Sequence, residues 1–430
     1  MNLTPLSDPS AFRTISGLWT GKKGPLIEGH VIRSTNFRKD GLLEYSDVAK
    51  LEVEQRAAAT RELEALDIII ERSGGGPKQP VGRIGLFMPP DPTKHYFTSN
   101  FTTALRVVDQ ERFDPLFVSL FMQALYSSGA TETLQRATTG IRNLDWTEYL
   151  NFAIPEIDIA AQRLVASGIN RVRQAYRFEE QLIALTQELK RTTMHKFFSR
   201  GLCGEAQKDR EIGLVPEGWH VEAIGTHFLV GSGGTPSRAN ARFWQGGQIP
   251  WVKTTEVKYN VITETEEHIT ADGLANSAAK MLPAGTLLMA MYGQGVTRGK
   301  VAILGIDAAC NQACASMNRR ADGQIEPRYL FHFLTYRYED IRSFAHGGQQ
   351  QNLNLDIVRD LQIAFPRNEE QQTAIARVLD AIDTKIGLHR RKKAVLEELF
   401  RSLLHKLMTD EIRVTELDLS ALETKQEVLA

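Results

Sequence analysis

Polar and cationic side chains stand beside glycine-rich turns at matching places in the two halves of this chain. Guanidinium and ammonium groups neutralise phosphates, and forked guanidinium or amide groups can form paired hydrogen bonds with the edges of bases. Glycines beside them allow a loop to approach a groove closely. These turns are therefore candidate contacts to duplex DNA. For each residue taken singly, a solvated side chain or a local turn bond is the alternative.

The candidates belong to strand ends, glycine-rich turns and one later loop in each half. The first half contributes Arg33, Ser34, Asn36, Arg72, Ser73, Lys78, Thr139 and Arg142. The second half contributes Ser237, Arg238, Lys253, Thr254, Tyr292, Gln294, Thr297, Arg298, Gln349, Gln350 and Gln351.

No segment carries the pattern of an active site or a metal centre. The run from Gly295 to Lys300 is too short between its glycines for a phosphate-binding loop, and Val301 stands where such a loop needs Ser or Thr. Cys310 and Cys314 lack a second pair of ligands for zinc. The sequence also lacks the Asn-Pro-Pro-aromatic motif of amino-methyltransferases. We therefore predict no catalytic residues, no metal and no cofactor bound by this chain.

Several blocks of the chain recur in the same order. The segment 67–87 matches 286–304, since in both an apolar run enters a glycine-rich turn and a Gly-Arg or Gly-Lys pair precedes a second apolar run. NLDWTEYLNFAIP at 143–155 matches NLDIVRDLQIAFP at 354–366. Short β-branched runs between Gly and Pro turns predict mixed, mainly β structure with a few helices. The fold class is therefore α+β, with two tandem copies of one domain.

Each copy ends in a long segment with helical periodicity. Apolar residues at alternating steps of three and four predict the a/d seam of a coiled coil. The seam residues are Ile169, Val172, Tyr176, Leu182, Leu185, Leu189 and Phe197 in the first helix, and Ile375, Leu379, Ile382, Ile386, Leu396, Phe400, Leu403 and Leu407 in the second. We predict that the two helices pair with each other as an antiparallel coiled coil. Ordinary amphipathic helices capping their own domains are the alternative.

These patterns divide the chain into six parts. They are a first domain at 1–155, a central spacer helix at 156–200, a linker at 201–213, a second domain at 214–366, a C-terminal spacer helix at 367–410 and a tail at 411–430.

Composition sets wider limits on the class of protein. The 430 residues carry a formal net charge of −1, so no overall basic excess indicates nucleic-acid binding. Local basic patches or a partner protein would have to supply positive surface. Three cysteines without framework spacing favour reduced thiols. The sequence shows no signal peptide and no membrane helix, so we expect a cytoplasmic protein.

The ordered blocks resemble the target-recognition domain of specificity subunits of Type I restriction–modification systems. In the second half the resemblance rests on LVPEGWHVEAIG at 214–225, GGTPSRANARFWQGGQIPWVKTTEV at 233–257, and the segment 347–380. In the first half it rests on GLWTGKKG, VIRSTNF, RSGGGPKQPVGRIGLF, TSNF and TTGIRNLDW. The match covers nearly the whole chain except the last twenty residues.

The resemblance implies a non-catalytic subunit that binds double-stranded DNA. Each domain would read one half of an interrupted target, and the halves should differ because the two copies differ in sequence. The paired helices would set the spacer and dock two modification subunits, which bind S-adenosylmethionine and methylate adenine at N6. Restriction subunits, with nuclease and ATP-driven translocase, would join the assembly, so S-adenosylmethionine, ATP and Mg are expected on partners.

The first copy departs from this pattern. It lacks the Pro-x-x-Trp opening seen at Pro216–Trp219, and Gln162 belongs to a helix start that differs from the one containing Gln372. These departures put in doubt how the first helix start meets a modification subunit. Two other functions remain open: a single-chain DNA methyltransferase or nuclease with built-in recognition domains, and a coiled-coil adaptor with no role on DNA.

Overall fold

A computed structural model describes residues 2–18, 24–75, 79–138, 141–293, 297–343 and 352–408. The described residues form two compact units. The first is drawn from Met1–Gln181 and Arg390–Ala430, and the second is Leu182–His389. Each predicted spacer helix therefore contributes one part to each unit. No helix among the described residues is long and apolar enough to cross a membrane.

The first unit is built mainly from short strands. Its strands are β1 (Leu3–Pro5), β2 (Phe12–Ser16), β3 (Leu26–Ile32), β4 (Ala49–Glu54), β5 (Ile68–Glu71), β6 (Ser73–Gly75), β7 (Ile84–Leu86), β8 (His95–Thr98), β9 (Thr102–Val107), β10 (Gln135–Thr138), β11 (Ile141–Leu144) and β12 (Ala153–Pro155). Its helices are α1 (Gln55–Arg61), α2 (Pro115–Ser127) and α3 (Trp146–Tyr149), and the long helix α4 (Ile159–Arg200) begins in it.

The second unit has a similar inventory. Its strands are β13 (Gln207–Arg210), β14 (Gly213–Pro216), β15 (His220–Ala223), β16 (Phe228–Ser232), β17 (Ile249–Val252), β18 (Val261–Ile262), β19 (Glu267–Ile269), β20 (Leu287–Ala290), β21 (Val301–Leu304), β22 (Ala309–Cys310), β23 (Cys314–Arg319) and β24 (Gln362–Phe365). Its helices are α5 (Ile224–His227), α6 (Ala271–Ala275), α7 (Pro327–Tyr336), α8 (Tyr338–Ser343) and α9 (Leu355–Asp360), followed by α10 (Glu369–Met408).

The two units share most of their sheet topology. In the first unit a four-stranded sheet has the order β2-β9-β5-β7, and in the second a five-stranded sheet has the order β16-β23-β20-β21-β18. A three-stranded sheet, β4-β3-β8, corresponds to β19-β17-β22, and each contains one parallel pair. The pair β1-β12 corresponds to β15-β24. The prediction of two α+β copies with mainly β structure is confirmed.

Sheet β10-β11-β6 belongs to the first unit and brings its glycine-rich turn beside the segment before α3. In the second unit the matching turn and later loop include residues 294–296 and 344–351, outside the described residues. The hairpin β13-β14 begins in the predicted linker and ends at Pro216, within the predicted second domain. Helix α2 follows β9 in the first unit, and α7 with α8 follows β23 in the second.

Helices α2 and α7 begin in the same way, and the N-cap of each is hydrogen-bonded to a buried glutamine. Each has proline at its first turn, and its N-cap carboxylate accepts a hydrogen bond from the third backbone N–H that follows. A fully buried glutamine then accepts a hydrogen bond from the N-cap backbone: Gln162 from Asp114, at 2.9 Å, and Gln372 from Glu326, at 2.7 Å. The differing helix starts noted in the sequence therefore keep one common structural residue.

The long helices pair within each unit and run antiparallel, as predicted. In the first unit the early part of α4 packs on the late part of α10, where the rings of Tyr176 and Phe400 lie 5.6 Å apart. In the second unit the late part of α4 packs on the early part of α10, and Lys190 Nζ lies 2.7 Å from Asp383. Tyr176 and Phe400 belong to the core of the first unit, while Ile375 and Leu379 belong to that of the second.

One stretch of the predicted seam needs correction. Leu185 and Leu189 are 68% and 55% exposed, whereas Thr186 is buried and the Lys190 side chain is only 13% exposed. The prediction followed the leucines and so fell one residue away from the true contact face, about 100° around a helix. It failed there because polar residues occupy the seam, including Glu179, which is 2% exposed and pairs with Lys392.

The other seam residues lie as follows. Ile169, Val172, Tyr176, Ile375, Leu379, Ile386, Phe400 and Leu407 are buried, and Leu182, Phe197, Ile382, Leu396 and Leu403 are partly buried.

Candidate nucleic-acid interface

Three of the predicted segments meet in the first unit. Ser34 Oγ donates to the carbonyl of Ser73 at 3.3 Å, which joins the strand end after β3 to the glycine-rich turn. Strand β6 pairs with β11, so that Arg142 lies opposite Gly75 and Asn143 opposite Ser73. Ser73 Oγ also donates to Asn143 Oδ1 at 2.5 Å. We call Arg33, Ser34, Arg72, Ser73 and Arg142 the first candidate surface.

Two glycines permit this close meeting of segments. Gly74 has φ of +109°, a conformation that side chains rarely adopt. A Cβ on Gly75 would lie 2.6 Å from the carbonyl oxygen of Gln79, so a larger residue would push the turn apart. The glycine run thus serves the close packing of the turn against its neighbours.

A buried ion pair lies beneath the turn. Glu71, the last residue of β5, is 1% exposed, and its two oxygens accept from Nε and Nη2 of Arg83 at 2.8 and 2.7 Å. Arg83 Nη2 also donates to the carbonyl of Ser34 at 2.7 Å, and its guanidinium lies over the ring of Phe37. The pair therefore ties the start of the glycine-rich turn to the strand end after β3.

Asn36, predicted as a DNA contact, is corrected by its surroundings. The residue is 2% exposed. Its Oδ1 accepts from the Arg33 backbone at 2.8 Å, and its Nδ2 donates to the carbonyls of Glu44 and Asp47 at 2.9 and 3.0 Å. All of its amide groups are thus used inside the loop. Sequence type alone gave no sign of this, because an exposed and a buried asparagine look alike in a polar strand end.

The second unit gathers Ser237, Arg238, Lys253 and Thr254, which we call the second candidate surface. Arg238 lies 3.7 Å from the ring centre of Trp244 and 5.0 Å from that of Trp251, and it pairs with Glu267 at 2.5 Å. Lys253 Nζ lies 2.6 Å from Glu266 and 3.2 Å from Glu267. The carbonyl of Ser237 accepts from the indole of Trp244. Both cations of this surface therefore have carboxylate partners.

These pairs shift the ionisation of the residues in them. The hydrogen bonds that Lys253 donates to Glu266 and Glu267 raise the pKa of Lys253. Partial burial alone would raise the pKa of Glu267, but its hydrogen bonds with Arg238 and Lys253 outweigh that effect and the pKa lies below its usual range. Near neutral pH the acids are therefore ionised and hold the two cations on the protein.

The remaining candidates are placed separately or not described. Tyr292 is exposed, and Thr297 and Arg298 are partly buried in the turn that follows Gly293. Lys78, Thr139, Gln294, Gln349, Gln350 and Gln351 lie outside the described residues.

Sequence reasoning missed the charged residues that organise these surfaces. Glu71 and Arg83 were read as parts of a repeat block, although a carboxylate at the end of a strand as apolar as Ile68–Ile70 was a usable signal for a buried partner. Glu266 and Glu267 carried no such signal, since acidic residues in a polar loop are usually solvated.

One other charged cluster belongs to the second unit's helices. His332, Asp380 and Asp383 could together offer ligand atoms to a metal ion. However, Arg328 pairs with Asp380 and Lys190 with Asp383, so cations of the chain already neutralise both carboxylates. The cluster is described most simply as a helix-to-helix ion-pair network.

Comparison with known proteins finds similarity to specificity subunits of type I restriction enzymes. Residues 216–398 match the family model of the Type I restriction modification DNA specificity domain. The EcoR124I/EcoR124II specificity subunit of Escherichia coli is 26% identical over 159 residues, 35% of this chain and 38% of that protein. The MjaVIII specificity subunit of Methanocaldococcus jannaschii is 24% identical over 312 residues, 70% of this chain and 71% of that protein.

Solved structures show the same fold over nearly the whole length. The S subunit of a Type I restriction–modification system from M. genitalium has a TM-score of 0.63 at 15% identity and covers 94% of this chain and 95% of that one. A chain from a study of complex assembly in the type I R-M system has a TM-score of 0.50 at 18% identity, covering 93% and 98%. Through residues 216–398, and through a fold shared along nearly its whole length, this chain is similar to type I restriction–modification specificity subunits.

Proposed function

We propose that this chain selects the DNA sequence on which a type I restriction–modification complex acts, and that it has no catalytic activity of its own. Each unit reads one half of an asymmetric, interrupted target. The observation that carries the proposal is a sheet topology largely repeated in the two units, with different side chains on the matching turns. One scaffold with two different reading surfaces suits a target with two different halves.

The helix pair has a mechanical role in this proposal. Helices α4 and α10 set the distance between the half-sites, in the way that dimer geometry sets half-site spacing in other DNA-binding proteins. They also dock two modification subunits, which bind S-adenosylmethionine and methylate adenine at N6 in each half-site. Restriction subunits that use ATP and Mg complete the assembly. The study of complex assembly from which one similar chain comes supports partners of this kind.

The alternatives fit the relatives less well. The matched curated proteins are named specificity subunits, so a single-chain methyltransferase or nuclease is not favoured. A coiled-coil adaptor without a DNA role does not account for polar turns on both units.

Methylation-aware sequencing of DNA from cells that carry this chain and its partner subunits tests the proposal directly. We expect one bipartite motif with two different halves and a fixed spacer. Replacing residues 1–155 with the first domain of another family member should change one half only. Removing one matched heptad from α4 and α10 should change or abolish the preferred spacer and leave both halves intact. Methylation without a bipartite motif would refute the proposed function.

A further inference from the structure

Arg72 stands at the end of a stack of aromatic side chains. Its guanidinium carbon lies 4.9 Å from the ring centre of Trp146. Trp146 in turn stacks on Tyr149, with centroids 5.5 Å apart and an interplanar angle of 12°, and Tyr149 meets Phe152 edge-on at 5.5 Å. Because Tyr149 is fully buried, the platform beneath Arg72 is fixed to the core of the first unit.

The backbone of Arg72 is held as firmly as its side chain. Its N–H donates to the carbonyl of Phe101 at 2.8 Å, and its carbonyl accepts from the N–H of Leu144 at 2.8 Å. The residue lies between β5 and β6, directly before the glycine-rich turn. Arg72 is therefore held at its backbone by hydrogen bonds and at its guanidinium by the Trp146 ring. Less conformational entropy is then lost when the side chain binds a partner.

Among the described residues, Arg72, like Arg142, has no carboxylate within ion-pair distance, whereas several other arginines of the first unit do. Arg33 pairs with Asp47, Arg83 with Glu71, Arg106 with Asp67, Arg112 with Glu156 and Arg136 with Asp145. Partial burial, without a compensating acid, lowers the pKa of Arg72. Partial desolvation of Arg72 is unfavourable in free energy, and no carboxylate of the described residues offsets it.

Recognition of a base edge fits this arrangement better than recognition of a phosphate. A phosphate tolerates any flexible cation, whereas a guanidinium held in one plane by an aromatic ring presents two parallel donors in a fixed direction. In the major groove, the matching pair of acceptors is O6 and N7 of guanine, the commonest partner of arginine in specific complexes.

We propose that Arg72 is a specificity-determining residue that contacts one guanine in the half-site read by the first unit. The proposal rests on the proposed function of the chain as a specificity subunit. Stacking on Trp146 orients the guanidinium, and Arg142, which lies opposite Gly75 on the adjacent strand, adds positive charge to the same surface.

The test is methylation-aware sequencing with the complete complex, using R72Q and R72K. In the wild-type motif, one half-site should contain a required guanine. Both variants should relax the preference at that base pair by about 5- to 150-fold, the discrimination expected of one paired contact, and leave the other half-site and the spacer unchanged. R72K keeps the charge but loses the fork, so it separates base reading from simple attraction.

R136Q is the matched control. Arg136 lies on β10 of the same sheet, its side chain is 78% exposed and it already pairs with Asp145. We expect R136Q to leave both half-sites unchanged. If R72Q does not assemble with its partners, R72K decides the question alone.

Two results would overturn the inference. One is an unchanged motif in R72K. The other is an R72Q complex that methylates all sequences uniformly more weakly with the motif unchanged, the pattern of a phosphate contact. Failure of the proposed function is distinguishable from both, because the wild-type complex would then give no bipartite motif.

Discussion

The two candidate surfaces have similar scaffolds but differ in how many of their cations are paired: among the described residues, only Arg33 of the three arginines of the first surface has a carboxylate partner, whereas both cations of the second do. In the first unit, Arg72 is stacked on an aromatic ring without an acid among the described residues, and Arg142 has only Gln135 as a described partner. In the second unit, Arg238 is also stacked on an aromatic ring, but Glu267 neutralises it and shares Lys253 with Glu266. Both surfaces thus have an arginine over an aromatic ring. Arg238 has an acidic partner, whereas Arg72 has none among the described residues.

The units also differ beneath their glycine-rich turns. The last residue of β5 is Glu71, paired with Arg83, whereas the last residue of the matching strand β20 is the buried Ala290. Glu71 therefore binds Arg83 through its side chain, whereas Ala290 contributes backbone hydrogen bonds with Gly299 and Lys300. The same backbone frame thus supports two differently constructed candidate surfaces.

Removing the buried acid should have the largest effect on stability. Glu71→Ala leaves Arg83 without its partner, and we expect a loss of about 3–5 kcal/mol in the free energy of unfolding, measured by chemical denaturation. Glu28→Ala, at a 63% exposed side chain, is the control and should change stability little. A loss below about 1 kcal/mol for Glu71→Ala would mean that the pair does not organise the first unit.

Replacing the buried glutamine at the start of each long helix should destabilise the two units to a similar extent. Gln162→Ala and Gln372→Ala each leave buried backbone groups without partners, at a cost of about 1–3 kcal/mol. Hydrogen exchange should show each loss confined mainly to its own unit. The exposed Gln187, on α4, provides the control substitution Gln187→Ala. If only one of the two buried glutamines matters, the structural equivalence of the helix starts is wrong.

The smallest effect is expected from Glu267→Gln, which should make the second surface more like the first. Arg238 would lose its carboxylate partner and become available to a phosphate, while Lys253 would keep Glu266 as its partner. We expect DNA binding by the assembled complex to tighten, and the slope of log K against log salt to steepen by about 1–2. Glu264→Gln, which removes an exposed carboxylate from the same segment, is the control. An unchanged salt slope would show that the second surface does not approach phosphates.

The sequence by itself determined the duplication, the α+β class, the two long helices and their pairing. These follow from local patterns: alternating apolar runs specify strands, steps of three and four specify helices, and repeated blocks specify copies. It also named Ser34 and Ser73 as candidate DNA contacts in the first domain, but their hydrogen bond to each other was visible only in the structure.

Only the tertiary structure showed which charged side chains of the described residues have an ion-pair partner and which do not. Arg238 and Glu267 are 29 residues apart in the chain, and Lys190 and Asp383 are 193 apart. No local pattern reports such pairs, because the energy of an ion depends on what folds against it. For the same reason the polar seam at Thr186 and Lys190, and the burial of Asn36, escaped the apolar periodicity from which the helices and strands were predicted.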